Sequence, residues 1–303
     1  MSLPADRSQV PTEQTHPKSQ GLDVLPTADL LRLMSEEDER AVHAVRAVTA
    51  DIASLVEDIV PRFQGGGRLV YVGAGTSGRL GVLDASECPP TFLVDPSRVV
   101  GIIAGGDAAL KRSSESLEDD PDGAAPELEA LGVGALDTVV GLTAGGTTPY
   151  PLGALRIARM RGALTTLVTC GVVPEPHHAA HVIRIDTGPE ILAGSTRLKA
   201  GSATKMALNM ISTALMVRLG KVHDGLMVDV SATNDKLLDR AARSVARLIE
   251  GTREEAFELL GQAGGRVKTA VVMRRSGVTR TEAERLLDAS DNVLRTALER
   301  GRA

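Results

Sequence analysis

From Ser35 to Pro61 the apolar positions Val42, Val45, Ile52, Leu55 and Ile59 recur at helical spacing, which predicts a helix. Ser35, with Asp38 three positions on, has the form of a capping box, so the helix is expected to begin there. Pro61 and the glycines Gly65 to Gly67 are expected to close it. Upstream, residues 1–27 contain four prolines and no apolar period. They are expected to form a largely irregular arm, with about its first ten residues disordered.

From Arg68 the pattern changes to short apolar runs bounded by glycine and alternating with helical stretches. Strands are predicted over 68–72 (RLVYV), 99–104, 138–142, 164–169 and 182–185. Helices are predicted directly after the first strand, over 108–117 and over 151–160. This alternation implies an α/β fold with a doubly wound parallel sheet covered on both faces. Ligands in such sheets sit at the carboxyl ends of the strands. Residues 201–219 form a long, mostly apolar helix, expected to be buried in the domain or at a subunit interface. Beyond Ala232 the chain is helical and more charged, with capping boxes at Thr252/Glu255 and Thr279/Glu282. The expected division is an arm over 1–27, the α/β domain with its N-terminal helices over 28–232, and a small helical bundle over 233–303.

Composition narrows the function classes. The 303 residues are 43% hydrophobic but only 2% aromatic, so the core must rest on aliphatic side chains and alanine. A net charge of -5 argues against a nucleic-acid partner. Cys88 and Cys170 are too few for a disulfide framework, which points to a reducing compartment. The polar N-terminus lacks the apolar segment of a signal peptide, and no apolar run is long enough to span a bilayer. The expectation is a soluble, cytoplasmic protein with no membrane partner.

Two glycine-rich turns are the first candidates for chemistry. Gly73-Ala74-Gly75-Thr76-Ser77-Gly78 leads from a strand into a helix, where free N–H groups and the helix dipole favour an anion. Taken alone the turn is equally a tight connection. Gly73, Gly75 and Gly78 fit the dinucleotide spacing, but Asp107 comes too late after the next strand for the acidic partner of that motif. Thr143-Ala144-Gly145-Gly146-Thr147-Thr148 is a second small-residue turn on the same sheet edge, and two such turns suggest a phosphate cradle. Glu87 lies in DASECPP, where a helix is expected to stop against the proline pair and leave the acid at an irregular position. Glu118 lies in an acidic run with Glu115, Asp119 and Asp120, where most charges must be simply solvated. His177, His178 and His181 lack ligand-spaced partners and read as a polar loop. Cys88 has no evident histidine partner for a nucleophilic role.

The segment VYVGAGTSGRLGVLDASECPPTF resembles the signature region of the N-acetylmuramic acid 6-phosphate etherase family. The resemblance continues in GIIAGGDAAL, ESLEDD, GPEILAGSTRLKAGSATKMALNMISTALM and GKVHDGLMVDVSATNDKL, and covers the chain from about Thr12 onward. It implies the sugar isomerase domain fold, a phosphosugar substrate, a homodimer and no cofactor or metal. The implied reaction eliminates D-lactate across C2–C3 of the open-chain sugar and adds water, giving N-acetylglucosamine 6-phosphate. Glu87 and Glu118 match the family's two catalytic glutamates. By resemblance, Glu87 protonates the departing lactate and later activates water, and Glu118 takes the C2 proton. Gly75, Thr76, Ser77, Gly78, Thr143, Gly145, Gly146, Thr147 and Thr148 become candidate substrate and phosphate contacts. Where the family tends to read SGRTP, this chain reads GGTTP, so a serine and an arginine are missing. Ser195 and Lys199, in the intact GSTRLKAG segment, either reach substrate or fix their loop. Two further readings remain for such a fold: a sugar-phosphate isomerase, which needs a base at C2 but no acid for a leaving ether, and a phosphosugar-sensing regulator without turnover.

Overall fold

The computed structural model describes residues 8, 10–112, 117–171, 178–230 and 235–301. The expected disorder of the first residues, the end of the helix expected over 108–117, and the junction at 232/233 fall wholly or largely outside them. The chain divides into two compact units, residues 1–86 with 96–212, and residues 87–95 with 213–303.

The first unit opens with an arm containing short 3-10 turns at Pro11–Glu13 and Leu22–Val24. Helices α1 (Thr27–Ala47) and α2 (Thr49–Gln64) follow. The strands β1 (Leu69–Gly73), β2 (Val99–Ile103), β3 (Thr138–Thr143), β4 (Leu164–Thr169) and β5 (His181–Arg184) form one parallel sheet in the order β2-β1-β3-β4-β5. Every residue of β1, β3 and β4 is buried, as in a sheet covered on both faces. Helices α3 (Gly75–Phe92), α4 (Ala108–Lys111), α5 (Ala125–Ala130), α6 (Pro149–Met160) and α7 (Lys199–Arg218) complete the order. Successive side chains of β1 serve opposite faces. Val70 and Val72 join a cluster with Leu155 and Ala158 of α6. Tyr71 faces α3, with its Cβ 2.9 Å from where a side chain on Gly81 would begin. The sheet is therefore doubly wound, as its periodicity implied.

Several boundaries differ from the sequence reading. The first helix starts at Thr27, not Ser35, so Ser35 and Asp38 sit inside α1 and form no cap. Its buried face runs through Glu37, Ala41 and Val45, and the charged Glu37 interrupts the apolar stripe that would have marked the start. Val42, taken as part of that stripe, is exposed. The expected single helix breaks at Val48, whose ψ of 13° leaves helical geometry. Pro61 lies within the last turn of α2 and does not close it, the helix running on to Gln64. The proline pair Pro89-Pro90 likewise falls in the last turn of α3, which runs on to Phe92. Leu93, at φ 49°, closes it with an N–H bond to the Pro89 carbonyl at 3.0 Å. Glu87 is thus a helical residue and not an irregular one. α6 and α7 each begin two residues earlier than expected, at Pro149 and Lys199.

A buried polar cluster ties the arm to the rest of this unit. Lys199, 1% exposed, places Nζ 2.5 Å from Glu37 Oε2. His16 Nε2 lies 3.1 Å from the same oxygen, outside good hydrogen-bonding geometry, and Arg40 Nη1 lies 3.6 Å away. Burial pushes the Glu37 pKa up, but the hydrogen bond and charge of Lys199, with His16 and Arg40, outweigh it and hold the carboxyl below its ordinary 4.5. Buried Glu190 accepts the N–H groups of Lys199 at 3.2 Å and Ala200 at 2.9 Å, satisfying the start of α7.

In the second unit, a two-stranded antiparallel ribbon, β6 (Val222–His223) with β7 (Leu226–Met227), precedes five helices. These are α8 (Asp235–Ile249), α9 (Arg253–Gln262), α10 (Val267–Ser276), α11 (Arg280–Asp288) and α12 (Leu294–Arg300). The ribbon was too short to leave a signal in the sequence. Alanines 241, 242, 256, 270, 283 and 297 fill much of the shared core and let the helices approach closely. Thr279 and Glu282 form the expected capping box. Thr252 accepts the Glu255 N–H at 3.1 Å, but the Glu255 carboxylate turns to Arg274 Nε at 2.7 Å, so only half of that box forms.

Two outcomes test this packing. A Cβ added at Gly78 would lie 2.7 Å from the Gly73 carbonyl oxygen and 2.6 Å from Ile103 Cγ1. Gly78→Ala should destabilise the chain by about 1–3 kcal/mol, read as a lower urea midpoint at unchanged slope. Lys199→Met leaves Glu37 buried without its nearest cation and should cost about 3 kcal/mol near neutral pH. Because the Glu37 pKa is depressed in the folded state, that stabilisation is present above 4.5 and fades as pH falls through the folded value. The loss on substitution should therefore shrink in acid, checked by unfolding at both pH values.

Candidate active site

The chain crosses from β1 to β2 on one side of the sheet and returns to β3 on the other, so β1 and β3 are neighbours whose following turns diverge. That is the switch point at which doubly wound sheets bind ligands. Both glycine-rich turns meet there. In the first, Gly75 adopts φ 53°, a conformation glycine accepts readily. The Gly78 N–H bonds the Ala74 carbonyl at 3.1 Å, so the N–H groups of Gly75, Thr76 and Ser77 have no partner within α3. Gly78 itself is buried against Gly73 and supplies close approach instead of ligand contact.

In the second turn, Thr143 is buried and works on the turn itself. Its Oγ1 is 2.9 Å from Thr148 Oγ1 and accepts the Gly146 N–H at 3.2 Å. Gly146 sits at φ 79°, where a side chain would be strained. Gly145 has no such restriction. A Cβ there would meet Val10 Cγ1 at 3.5 Å and Thr12 Oγ1 at 3.6 Å, ordinary contacts that leave room for the missing serine.

A cleft opens between the turns. Its walls are Ala74, Gly75, Thr76 and Ser77 from the first turn and Ala144, Gly145, Thr147 and Thr148 from the second. Glu118, Thr196, Val10 and Glu13 complete it. Five hydroxyl residues and two carboxylates line it, with no lysine, arginine or histidine among the described lining residues. An anion would be held there by N–H and hydroxyl donors. Glu118 is half-buried, and its backbone carbonyl accepts the N–H of Tyr150 at 3.0 Å, which fixes it to the start of α6.

The structure thus brings together Gly75, Thr76, Ser77, Gly145, Thr147, Thr148 and Glu118, while Gly78, Thr143 and Gly146 shape the turns around them. Glu87 belongs to the second unit, exposed late in α3, and is not among the lining residues. Ser195 is also outside the lining, with its N–H bonded to Leu192 at 2.9 Å, and its neighbour Thr196 takes the place on the cleft wall. Lys199 is committed to Glu37 and fixes its loop. Sequence reasoning missed Val10, Glu13 and Thr196. Thr196 lay within the quoted GSTRLKAG segment, but the arm offered no period from which Val10 or Glu13 could have been placed.

The other candidates lie outside the cleft lining. Burial pushes the Cys170 thiol up to about 11, so it holds its proton at neutral pH. Cys88 is buried. His181 Nε2 lies 2.8 Å from Asp58 Oδ2, His178 is exposed, and His177 lies outside the described residues. Among the described residues no group of three or more histidine, cysteine, aspartate or glutamate side chains is placed to hold a metal ion. No described helix is long and apolar enough to cross a membrane.

Residues 51–159 match the family model of the glucokinase regulatory protein N-terminal SIS domain. A phosphoheptose isomerase from Francisella tularensis superposes at a TM-score of 0.46 with 16% identity, over 62% of this chain and 100% of that one. An N-acetylmuramic acid 6-phosphate etherase from Parasynechococcus marenigrum is 52% identical over 299 residues, covering 98% of this chain and 94% of the relative. One from Gloeobacter violaceus is 51% identical, covering 97% of each. With identity at this level along nearly the whole of both partners, the chain belongs to the N-acetylmuramic acid 6-phosphate etherase family.

Proposed function

We propose that the chain is an etherase that cleaves the D-lactyl ether of N-acetylmuramic acid 6-phosphate, yielding N-acetylglucosamine 6-phosphate and D-lactate. The observation that carries this reading is the half-identical, near-full-length match to etherases. The cleft fits it, since an uncharged cradle of N–H and hydroxyl donors sits beside the carboxylate of Glu118. The phosphate binds between the two turns. Gly75, Thr76 and Ser77 meet it from the start of α3, and Thr147 and Thr148 from the second turn.

With the sugar ring open, the C1 aldehyde acidifies the C2 proton. Glu118 removes that proton as general base. The electron pair forms the C2–C3 double bond and expels the ether oxygen from C3. Glu87 supplies the proton that lets this oxygen leave as the lactate hydroxyl. Water then adds at C3, losing a proton to Glu87, while C2 regains one from Glu118. Net, one water is consumed, no electrons are exchanged and both carboxyl groups return to their starting states. One glutamate must begin ionised and the other protonated, a division that different environments impose on paired carboxyl groups. The reading further includes a homodimer in the cytoplasm that works in peptidoglycan recycling. Its phosphosugar-binding domain spans 28–232, and a bundle over 233–303 completes it.

A coupled assay should detect D-lactate from the unmodified chain. Glu87→Gln and Glu118→Gln should each lower kcat by about 10²–10⁴-fold with the fold intact. Aldose–ketose exchange without lactate would sink the etherase reading in favour of an isomerase, and binding without turnover would favour a sensor. Gly145→Ser, restoring the family's hydroxyl on a Cβ that meets only ordinary contacts, should leave the melting temperature unchanged and lower KM severalfold.

A further inference from the structure

Resting on the phosphosugar reading of the cleft, we propose that Glu13 of the N-terminal arm is a substrate-binding residue, whose carboxylate accepts hydrogen bonds from hydroxyl or amide N–H groups of the sugar. The arm is a built part of the cleft wall. A 3-10 turn closes on the Glu13 N–H to Val10 carbonyl bond at 2.9 Å and the Gln14 N–H to Pro11 carbonyl bond at 3.3 Å. On one side of Glu13, Thr12 is fully buried, and its carbonyl accepts the Gly194 N–H at 3.1 Å. On the other, His16 is 2% exposed and packs against Glu37. Val10 reaches across to Gly145 of the second turn. The backbone on both sides of Glu13 is therefore fixed.

The carboxylate occupies space that a glycine keeps open. A Cβ on Gly194 would stand 3.1 Å from Glu13 Oε2, and Gly194 has φ 71°, so a side chain there would be strained as well as crowded. Glu13 is exposed to solvent and lines the cleft, with no hydrogen-bond or ion-pair partner among the described residues. The buried acids Glu37, Asp137 and Glu190 of the same unit are committed to cations or backbone N–H groups, whereas Glu13 stays free to meet a ligand. An ionised carboxylate only accepts hydrogen bonds, so what it suits is a donor. It also repels a phosphate, and the described lining residues include no cation to offset that. The phosphate belongs at the start of α3, and Glu13 addresses the sugar beyond it.

Calorimetry on the full chain with two probes, N-acetylglucosamine 6-phosphate and inorganic phosphate, separates this role from others. Glu13→Gln should weaken the sugar phosphate about tenfold, while inorganic phosphate binds as before or slightly tighter. Glu13→Asp, which keeps the charge but withdraws it, should act in the same direction. Both variants should melt with the unmodified chain. Equal loss of both probes, loss of neither, or a lowered melting temperature with loss of binding would overturn the assignment. If the unmodified chain binds neither probe, the phosphosugar reading falls and this one with it. If it binds both and releases D-lactate while Glu13→Gln matches it, only the role of Glu13 falls.

Discussion

The contact between Gly73 at the end of β1 and Gly78 in the first turn of α3 sets the geometry on which the cleft depends. A side chain on either glycine would drive into the other's backbone within 3.0 Å. With both bare, the helix starts directly over the strand end and turns its unpaired N–H groups toward the neighbouring turn. The second turn is held to similar tolerance. A Cβ on Gly171, just past β4, would lie 2.4 Å from the Gly145 carbonyl oxygen. Thr143 and Thr148 then lock the turn from within. The separation of the two walls, and with it the size of group the cleft admits, follows from these backbone approaches more than from any ligand-facing side chain.

Burial of charge is the second organising constraint, and it is met by three devices in the first unit. Glu37 is surrounded by cations and His16. Glu190 caps the start of α7 through two backbone N–H groups, although burial still pushes its pKa up. Asp84 also has its pKa pushed up by burial, against bonds from Tyr71 at 3.0 Å and Ser212 at 3.1 Å. Two of the devices join segments far apart in sequence, the arm and α1 to α7, and β1 and α3 to α7, while the third ties the loop before α7 to its first turn. The arm, the start of α3 and the loop before α7, which supply part of the cleft wall, stand on these segments, so polar satisfaction in the core contributes to their positions.

This explains what the sequence could and could not disclose. The five strands were legible because β1, β3 and β4 are buried along their whole length and read as continuous aliphatic runs bounded by glycine. Both turns were legible because their glycines answer a local backbone demand. The start of α1 was hidden because its core face includes Glu37, whose partners lie at 16 and 199. The end of α3 was misplaced because the proline pair was read as a stop, whereas Pro89 and Pro90 lie inside its last turn and the helix runs on to Phe92. Ser195 and Thr196 differ by one position in an irregular loop, where no period tells which of two adjacent side chains faces inward. Glu13 was invisible for the same reason, since a 3-10 turn of three residues has no repeat to read.

The departure from SGRTP bears on how the cleft selects its ligand. An arginine in the second turn would bring a fixed charge and a planar fork of donors that fits carboxylates and phosphates alike. Thr147 brings one short hydroxyl instead. With neutral donors arriving from two backbone turns, attraction at a distance is weak and recognition depends on satisfying several short contacts at once. A tetrahedral group with three terminal oxygens can do so, whereas a flat carboxylate reaches fewer of them. Discrimination by shape of this kind loses little in salt, and it leaves Glu13 and Glu118 as the only charges in the described lining. On the proposed reading, the field at the sugar is set by those two carboxylates, by Glu87 and by the phosphate itself, so the placement of the phosphate bears directly on the proposed removal of the C2 proton.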